Sequence, residues 1–201
     1  MKTLFRIAVI LITALTLVSL LPSAQAAYGG VYNKTVRFHV LANSDGEEDQ
    51  ALKLRVRDEL VAFLSPILQN CESASQSGET ICSMLGQIEN KTKEILENAG
   101  SDLDCKVVFG KEFYPARDYG NLSYPAGEYN SLRVFLGKGE GKNWWCVLFP
   151  PLCIDSSETQ AGLERAGYTE EEQNLVTKKD AGYKVRFFLL DLAAKLKNLF
   201  S

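Results

Sequence analysis

A run of fifteen uncharged, mostly apolar residues, Ile7 to Leu21, constrains this chain most, because such a segment is an address rather than part of a folded core. Lys2 and Arg6 precede it with no acidic residue to offset them. Pro22 ends it, and Ala24-Gln25-Ala26 places small residues where a signal peptidase reads. The competing reading is an uncleaved membrane anchor. Spanning a bilayer takes roughly 20 apolar residues, and this run falls short. Residues 1–26 therefore read as a secretory signal peptide and residues 27–201 as one domain, with no stable membrane insertion after cleavage.

Removing 26 of 201 residues leaves 20 basic against 25 acidic side chains, a net charge of −5. Nucleic acid and anionic lipid both call for basic clusters, and the acidic balance argues against either as main partner. Export permits disulfides, and all five cysteines (Cys71, Cys82, Cys105, Cys146, Cys153) lie beyond the signal. Their odd number leaves at least one thiol unpaired in a monomer. With one histidine, His39, and no C-x-x-C, no zinc site is expected.

Asn33 to Ala42 alternates as a strand, with Val36, Phe38 and Val40 on one face and Arg37, His39 and Leu41 on the other. Asn43 to Gly46 turns the chain, and Ser44 with Glu47 suggests a capping box. The helix that follows has Leu52, Val56, Leu60, Phe63 and Leu64 on one stripe, with a break or restart at Ser65-Pro66. Glu72 to Gly78 reads as a polar connection. A second helix carries Ile81, Leu85, Ile88, Ile95 and Leu96 and stops at Asn98-Ala99-Gly100. Leu103 to Phe109 returns to period two. Residues 110–128, rich in Tyr, Pro and Gly, read as an ordered loop. Tyr129 to Leu136 and Trp144 to Phe149 form strands joined hairpin-fashion by Gly137 to Gly141. Asp155 to Asp180 reads as a polar excursion, and Tyr183 to Leu199 as a last strand and a closing helix. The expected class is α+β: a single domain, two helices packed on a mainly antiparallel sheet.

No catalytic set emerges. The glycines of Gly137-Lys138-Gly139-Glu140-Gly141 lead into a strand pattern, which a phosphate-binding loop does not. His39 is the only imidazole that could serve a thiol nucleophile, and it sits in a strand where packing or a local bond is expected. No catalytic residue, cofactor site or metal site is assigned. Trp144 and Trp145 must point to opposite faces of their strand. Either both are buried, or one anchors a protein partner, a role in which Trp is over-represented. Cys146 and Cys153 are close enough in sequence to be bridged across the turn at Pro150-Pro151; two buried thiols are the alternative.

Several motifs occur in one order: Arg37-Phe38-His39-Val40-Leu41-Ala42-Asn43-Ser44-Asp45, then Asp49-Gln50, Leu52-Lys53 and Val56-Arg57-Asp58. Tyr119-Gly120 and Tyr124 to Tyr129 follow, then Gly139 to Cys153 containing N-W-W-C-V-L-F-P-P-L-C. Together they resemble the stage II sporulation protein R family from about Val36 to Cys153. That resemblance implies a protein made in the forespore and exported into the space between forespore and mother-cell membranes. There it would activate a membrane-embedded aspartic protease of the mother cell, which processes a sporulation sigma-factor precursor. It implies a signal and not an enzyme. The partner-contact candidates are Trp144, Trp145, Asn143, Tyr129 and Glu128. The alternative is an exported hydrolase acting on cell wall or peptide.

Overall fold

β1, Val36–Leu41, is where the alternation in sequence becomes two different environments. Its even-numbered side chains, Val36, Phe38 and Val40, have no exposed surface and enter an apolar core. Its odd-numbered Arg37 and His39 face the other way and are buried too. The computed structural model describes residues 28–151 and 159–177. The expected signal peptide, Cys153, the last strand and the closing helix lie outside the described residues.

After β1 come α1 (Glu47–Leu68), α2 (Ala74–Ser83) and α3 (Leu85–Asn98). Then follow β2 (Cys105–Tyr114), β3 (Arg117–Tyr119), β4 (Leu122–Tyr124), β5 (Gly127–Leu136) and β6 (Asn143–Phe149). Two short helices, α4 (Thr159–Arg165) and α5 (Glu170–Val176), follow. The main sheet runs β2-β5-β1-β6, and β3 and β4 form a separate hairpin. β1 pairs in parallel with β5 and antiparallel with β6, while β2 and β5 are antiparallel. The fold is α+β with a mainly antiparallel sheet.

The helices cover the Phe38 face. Val56, Leu60, Leu64 and Leu68 of α1 and Ile88, Ile95 and Leu96 of α3 meet Leu132, Val134 and Leu136 there. Each such side chain removed from water contributes roughly 1.5–3 kcal/mol. Gly78 of α2 lets the ring of Phe109 approach, so a β-carbon there would sit 3.2 Å from it.

Several local expectations are corrected. Residues 110–128, expected to be a loop, hold the end of β2, the whole β3–β4 hairpin and the start of β5, because the β2–β5 ladder continues as far as the Tyr114–Gly127 pair. α1 runs through Pro66 in its last turn, forgoing the one i→i−4 hydrogen bond that the missing N–H would have donated while its apolar stripe continues to the buried Leu68. The stretch expected to connect the helices is itself helical from Ala74, because Ser73 accepts a bond from the Gln76 amide as its N-cap. The single second helix is two, divided at Met84. Ser44 caps nothing: its hydroxyl donates to Asp49 instead, and Gly46 begins α1 without a side-chain cap. A capping box does occur further on, between Thr169 and Glu172 at the start of α5. Nor do β5 and β6 form a hairpin, because β1 lies between them. The connection arches over the end of β1 instead. Gly137 and Gly139 take φ of 54° and 65°, and Gly141 donates to the Ala42 carbonyl at 2.9 Å. A β-carbon on Gly141 would strike the Ser44 carbonyl. The polar stretch after Asp155 is more than a surface excursion. Leu163, Tyr168 and Val176 join the core, and Tyr168 meets Thr35 by a 2.6 Å hydroxyl contact.

Candidate functional site

The face of the sheet turned away from α1–α3 gathers most of the buried polar groups. Arg37 has no exposed surface, and its guanidinium lies among four tyrosine rings. The guanidinium carbon is 4.5 Å from the ring centre of Tyr114, 5.3 Å from Tyr119, 5.4 Å from Tyr124 and 5.1 Å from Tyr129. Two strands supply Tyr114 and Tyr129, while the β3–β4 hairpin folds Tyr119 and Tyr124 over the top. Nη2 donates to the Tyr119 hydroxyl at 2.6 Å, and Nε and Nη1 have no hydrogen-bond partner. Burial pushes the hydroxyls of Tyr114, Tyr124 and Tyr129 well above the ordinary tyrosine range. All three stay neutral, so the cation is met by π faces rather than by a phenolate. A desolvated contact of this kind contributes about 2 kcal/mol.

One step along the same face, His39 Nδ1 lies 3.0 Å from Glu112 Oε1. A carboxylate only accepts, so Nδ1 carries the proton. Glu112 Oε2 accepts from Ser131 Oγ at 3.0 Å, and Ser131 Oγ in turn meets the Tyr114 hydroxyl at 2.6 Å. Burial works to raise the Glu112 carboxyl. The His39 hydrogen bond and charge, with Ser131 and Tyr114, outweigh it and hold the group below its ordinary value. Nε2 of His39 is buried with no hydrogen-bond partner. Ser131 is bound to the carboxylate, not to the imidazole, so the chain Tyr114–Ser131–Glu112–His39 is not the nucleophile–base pairing of an acyl-transfer enzyme.

β6 presents its tryptophans to the two faces, as strand geometry requires. Trp144 meets Phe38 edge-on at 6.0 Å and lies 5.0 Å under the guanidinium of Arg57. Trp145, on the arginine face, is 5.4 Å from the His39 ring and carries Arg117 stacked at 3.8 Å. Both are half-buried and Asn143 is exposed. Glu128 and Tyr129 lie on β5, with β1 between them and β6. Glu128 is exposed. Tyr129 has no exposed surface, stacks edge-on against Tyr32 at 5.0 Å and donates to the Pro125 carbonyl at 2.7 Å. The five contact candidates thus occupy two places.

Cys71, Cys82 and Cys105 are free thiols. Cys146 is not among them, and Cys153 lies outside the described residues. Among the described residues no cluster of His, Cys, Asp and Glu could hold a metal ion, and no helix is long and apolar enough to cross a membrane. Sequence reasoning missed Arg37, Glu112, Tyr114 and Arg117. The available signal was the alternation itself, which put Arg37 and His39 side by side on one face of a central strand.

Comparison with known proteins gives a consistent result. Residues 32–159 match the family model of stage II sporulation protein R. The chain is 34% identical over 185 residues to stage II sporulation protein R of Bacillus subtilis (strain 168), covering 82% of each chain. No solved structure matches it.

Proposed function

Because the chain belongs to the stage II sporulation protein R family, we propose that it is an exported intercompartmental signal of sporulation. It crosses the forespore membrane by a signal peptide cleaved after Ala26. In the space beyond, it activates a membrane-embedded aspartic protease of the mother cell that processes a sigma-factor precursor. The observation that supports this reading is β6, with Asn143, Trp144 and Trp145 in succession at one edge of the main sheet. The tryptophans are half-buried, each stacked with an arginine, and large aromatic and arginine side chains dominate binding energy at protein interfaces. Activation requires only that the domain bind the active state of the protease better than the inactive one. Cys146 pairs with Cys153 in the exported protein and braces the end of this strand.

Reconstitution decides between this reading and a hydrolase. Purified chain added to vesicles holding the protease and its precursor substrate is expected to trigger cleavage. Trp145→Ala and Trp144→Ala should lower the response while remaining folded. Release of product from wall fragments by the chain alone, with no effect on the protease, would overturn the signalling role. N-terminal sequencing of exported material is expected to begin at Ala27; a start at Met1 would remove the cleavage step.

A further inference from the structure

β2 is an edge strand of the main sheet: β5 pairs with it on one side, and among the described residues no strand pairs with the other. In an antiparallel ladder alternate residues turn their backbone N–H and C=O toward the partner, and those between turn them away. Gly137 donates to the Asp104 carbonyl at 2.7 Å just before β2 begins, which fixes the phase. The even-numbered residues from Lys106 to Tyr114 therefore bond to β5. The odd-numbered ones from Cys105 to Phe113 turn their backbone groups outward.

The two halves of that outer edge differ. At its start α3 covers it: the Val107 amide turns to the Glu89 carboxylate, and the Cys105 thiol to the Glu89 carbonyl at 3.8 Å. The cover ends at Phe109, whose ring lies against Gly78 of α2. Past it Lys111 is exposed, and Phe113 is 38% exposed, one of only two large apolar side chains so placed among the described residues. An unpaired strand edge is a template for a further strand, and proteins ordinarily cover or blunt those that serve no purpose. Here one half is covered and the other is left open.

Charge selects the occupant. A second copy joined by two-fold symmetry, with the three open residues matched, sets Lys111 opposite its own counterpart, and like charges directly opposite destabilise a pair. The segment of this chain from Tyr183 to Leu190 carries Lys184 and Arg186 and no acidic residue, so it offers Lys111 no counter-charge. A strand from a different protein, with an acidic residue opposite Lys111 and apolar residues opposite Phe109 and Phe113, gains at all three. On the other face Gly110 leaves room for a large residue beside it: a β-carbon there would have only Arg133 Nη2 within 4 Å, at 3.9 Å.

We propose that the outer edge of β2 from Phe109 to Phe113 is a strand-addition site for a protein partner, receiving an extended segment of the pattern apolar–x–acidic–x–apolar. Main-chain hydrogen bonds supply the affinity and the alternate side chains the selectivity. The site stands without the signalling reading, on which only the identification of the partner with the protease rests.

Amide hydrogen exchange on the full chain reads the edge directly. Phe109, Lys111 and Phe113 are expected to exchange about tenfold or more faster than Val108, Gly110 and Glu112, whose amides are given to β5. The probe is a capped Thr-Val-Thr-Glu-Tyr-Val-Thr peptide, which in antiparallel register sets Glu against Lys111 and the two Val against Phe113 and Phe109. It is expected to slow exchange at the three open amides saturably. Methylating the Glu backbone nitrogen removes a bond to the Lys111 carbonyl and should weaken binding about tenfold. Methylating the Tyr nitrogen, which faces away from β2, should change it little. Lys in place of the Glu should bind about fivefold more weakly, and Lys111→Glu should reverse that preference. Lys111→Pro deletes only an outward N–H, which edge strands tolerate, and should abolish peptide binding in a chain whose β2–β5 ladder stays protected.

Slow exchange at the three amides of the free chain, or equal binding of the two methylated peptides, overturns the site. Protection that grows with chain concentration in the absence of peptide would make the edge a contact between copies and overturn the partner assignment. In vesicles holding the protease, a Lys111→Pro chain that activates as well as the parent would overturn the protease as partner. Peptide binding by a parent chain that fails to activate the protease would sink the signalling reading alone.

Discussion

Arg37 and Glu112 are both charged and both removed from much of the solvent, yet the protein handles them differently. Around Arg37 there are rings and one hydroxyl acceptor, Tyr119, reached by Nη2 at 2.6 Å. Tyr119→Phe keeps the ring and deletes that acceptor, leaving a further guanidinium N–H unpaired. Urea unfolding of the variant is expected to show a loss of about 1–3 kcal/mol; a change indistinguishable from zero would mean that the rings alone hold the cation. Glu112 has specific partners, and its folded-state carboxyl is held below the ordinary value of 4.5. The unfolded chain therefore binds this proton more readily than the folded one. The stabilisation is complete above the ordinary value and is lost as pH falls through the lower, folded one. Stability measured from pH 6 downward is expected to fall through that acid range in the parent, and less steeply in Glu112→Gln. Identical acid limbs would show that the His39–Glu112 contact carries no pH-dependent stability.

The helices owe their existence to one apolar stripe each. Ile95 of α3 has no exposed surface and sits in the common core. Ile95→Ala is expected to cost about 2–5 kcal/mol, from lost burial and the cavity left behind. Leu54, on the outer side of α1, is 39% exposed, and its replacement by Ala should change stability by no more than about 0.5 kcal/mol. Chemical denaturation of the two variants side by side checks the assignment of faces; equal losses would contradict it. The β5–β6 connection shows the opposite dependence. Its glycines read as hairpin residues, and they do serve a turn, but the turn spans a strand rather than joining neighbours. Gly141 is required by the close approach of the Ser44 carbonyl, a contact distant in sequence.

For the whole molecule, the proposed pairing of Cys146 with Cys153 is a covalent feature open to direct test. A bridge between Cys146 and Cys153 closes a short loop and is expected to contribute about 2–3 kcal/mol on the chain-entropy model. Because Cys146 shares β6 with both tryptophans, its loss should reduce protease activation more than secretion. Peptide mapping of exported protein without reductant tests the pairing; separate, alkylatable peptides carrying Cys146 and Cys153 would refute it.

Local pattern alone determined the α+β class, the strand at Val36–Leu41, the helical stripes and the opposite facing of Trp144 and Trp145. Each depends on a repeat of two or 3.6 residues that the chain carries within itself. The order of motifs was enough to place it in its family. Strand order, the path of the glycine loop across β1 and the environment of Arg37 depend on residues far apart in sequence. No periodicity encodes that Tyr119 and Tyr124 fold back over Arg37, or that Glu112 reaches His39 across β5. The same alternation that puts an apolar residue into a core puts its neighbour on the other face. Whether that neighbour meets water, a ring or a counter-charge is decided only when a second segment packs over it.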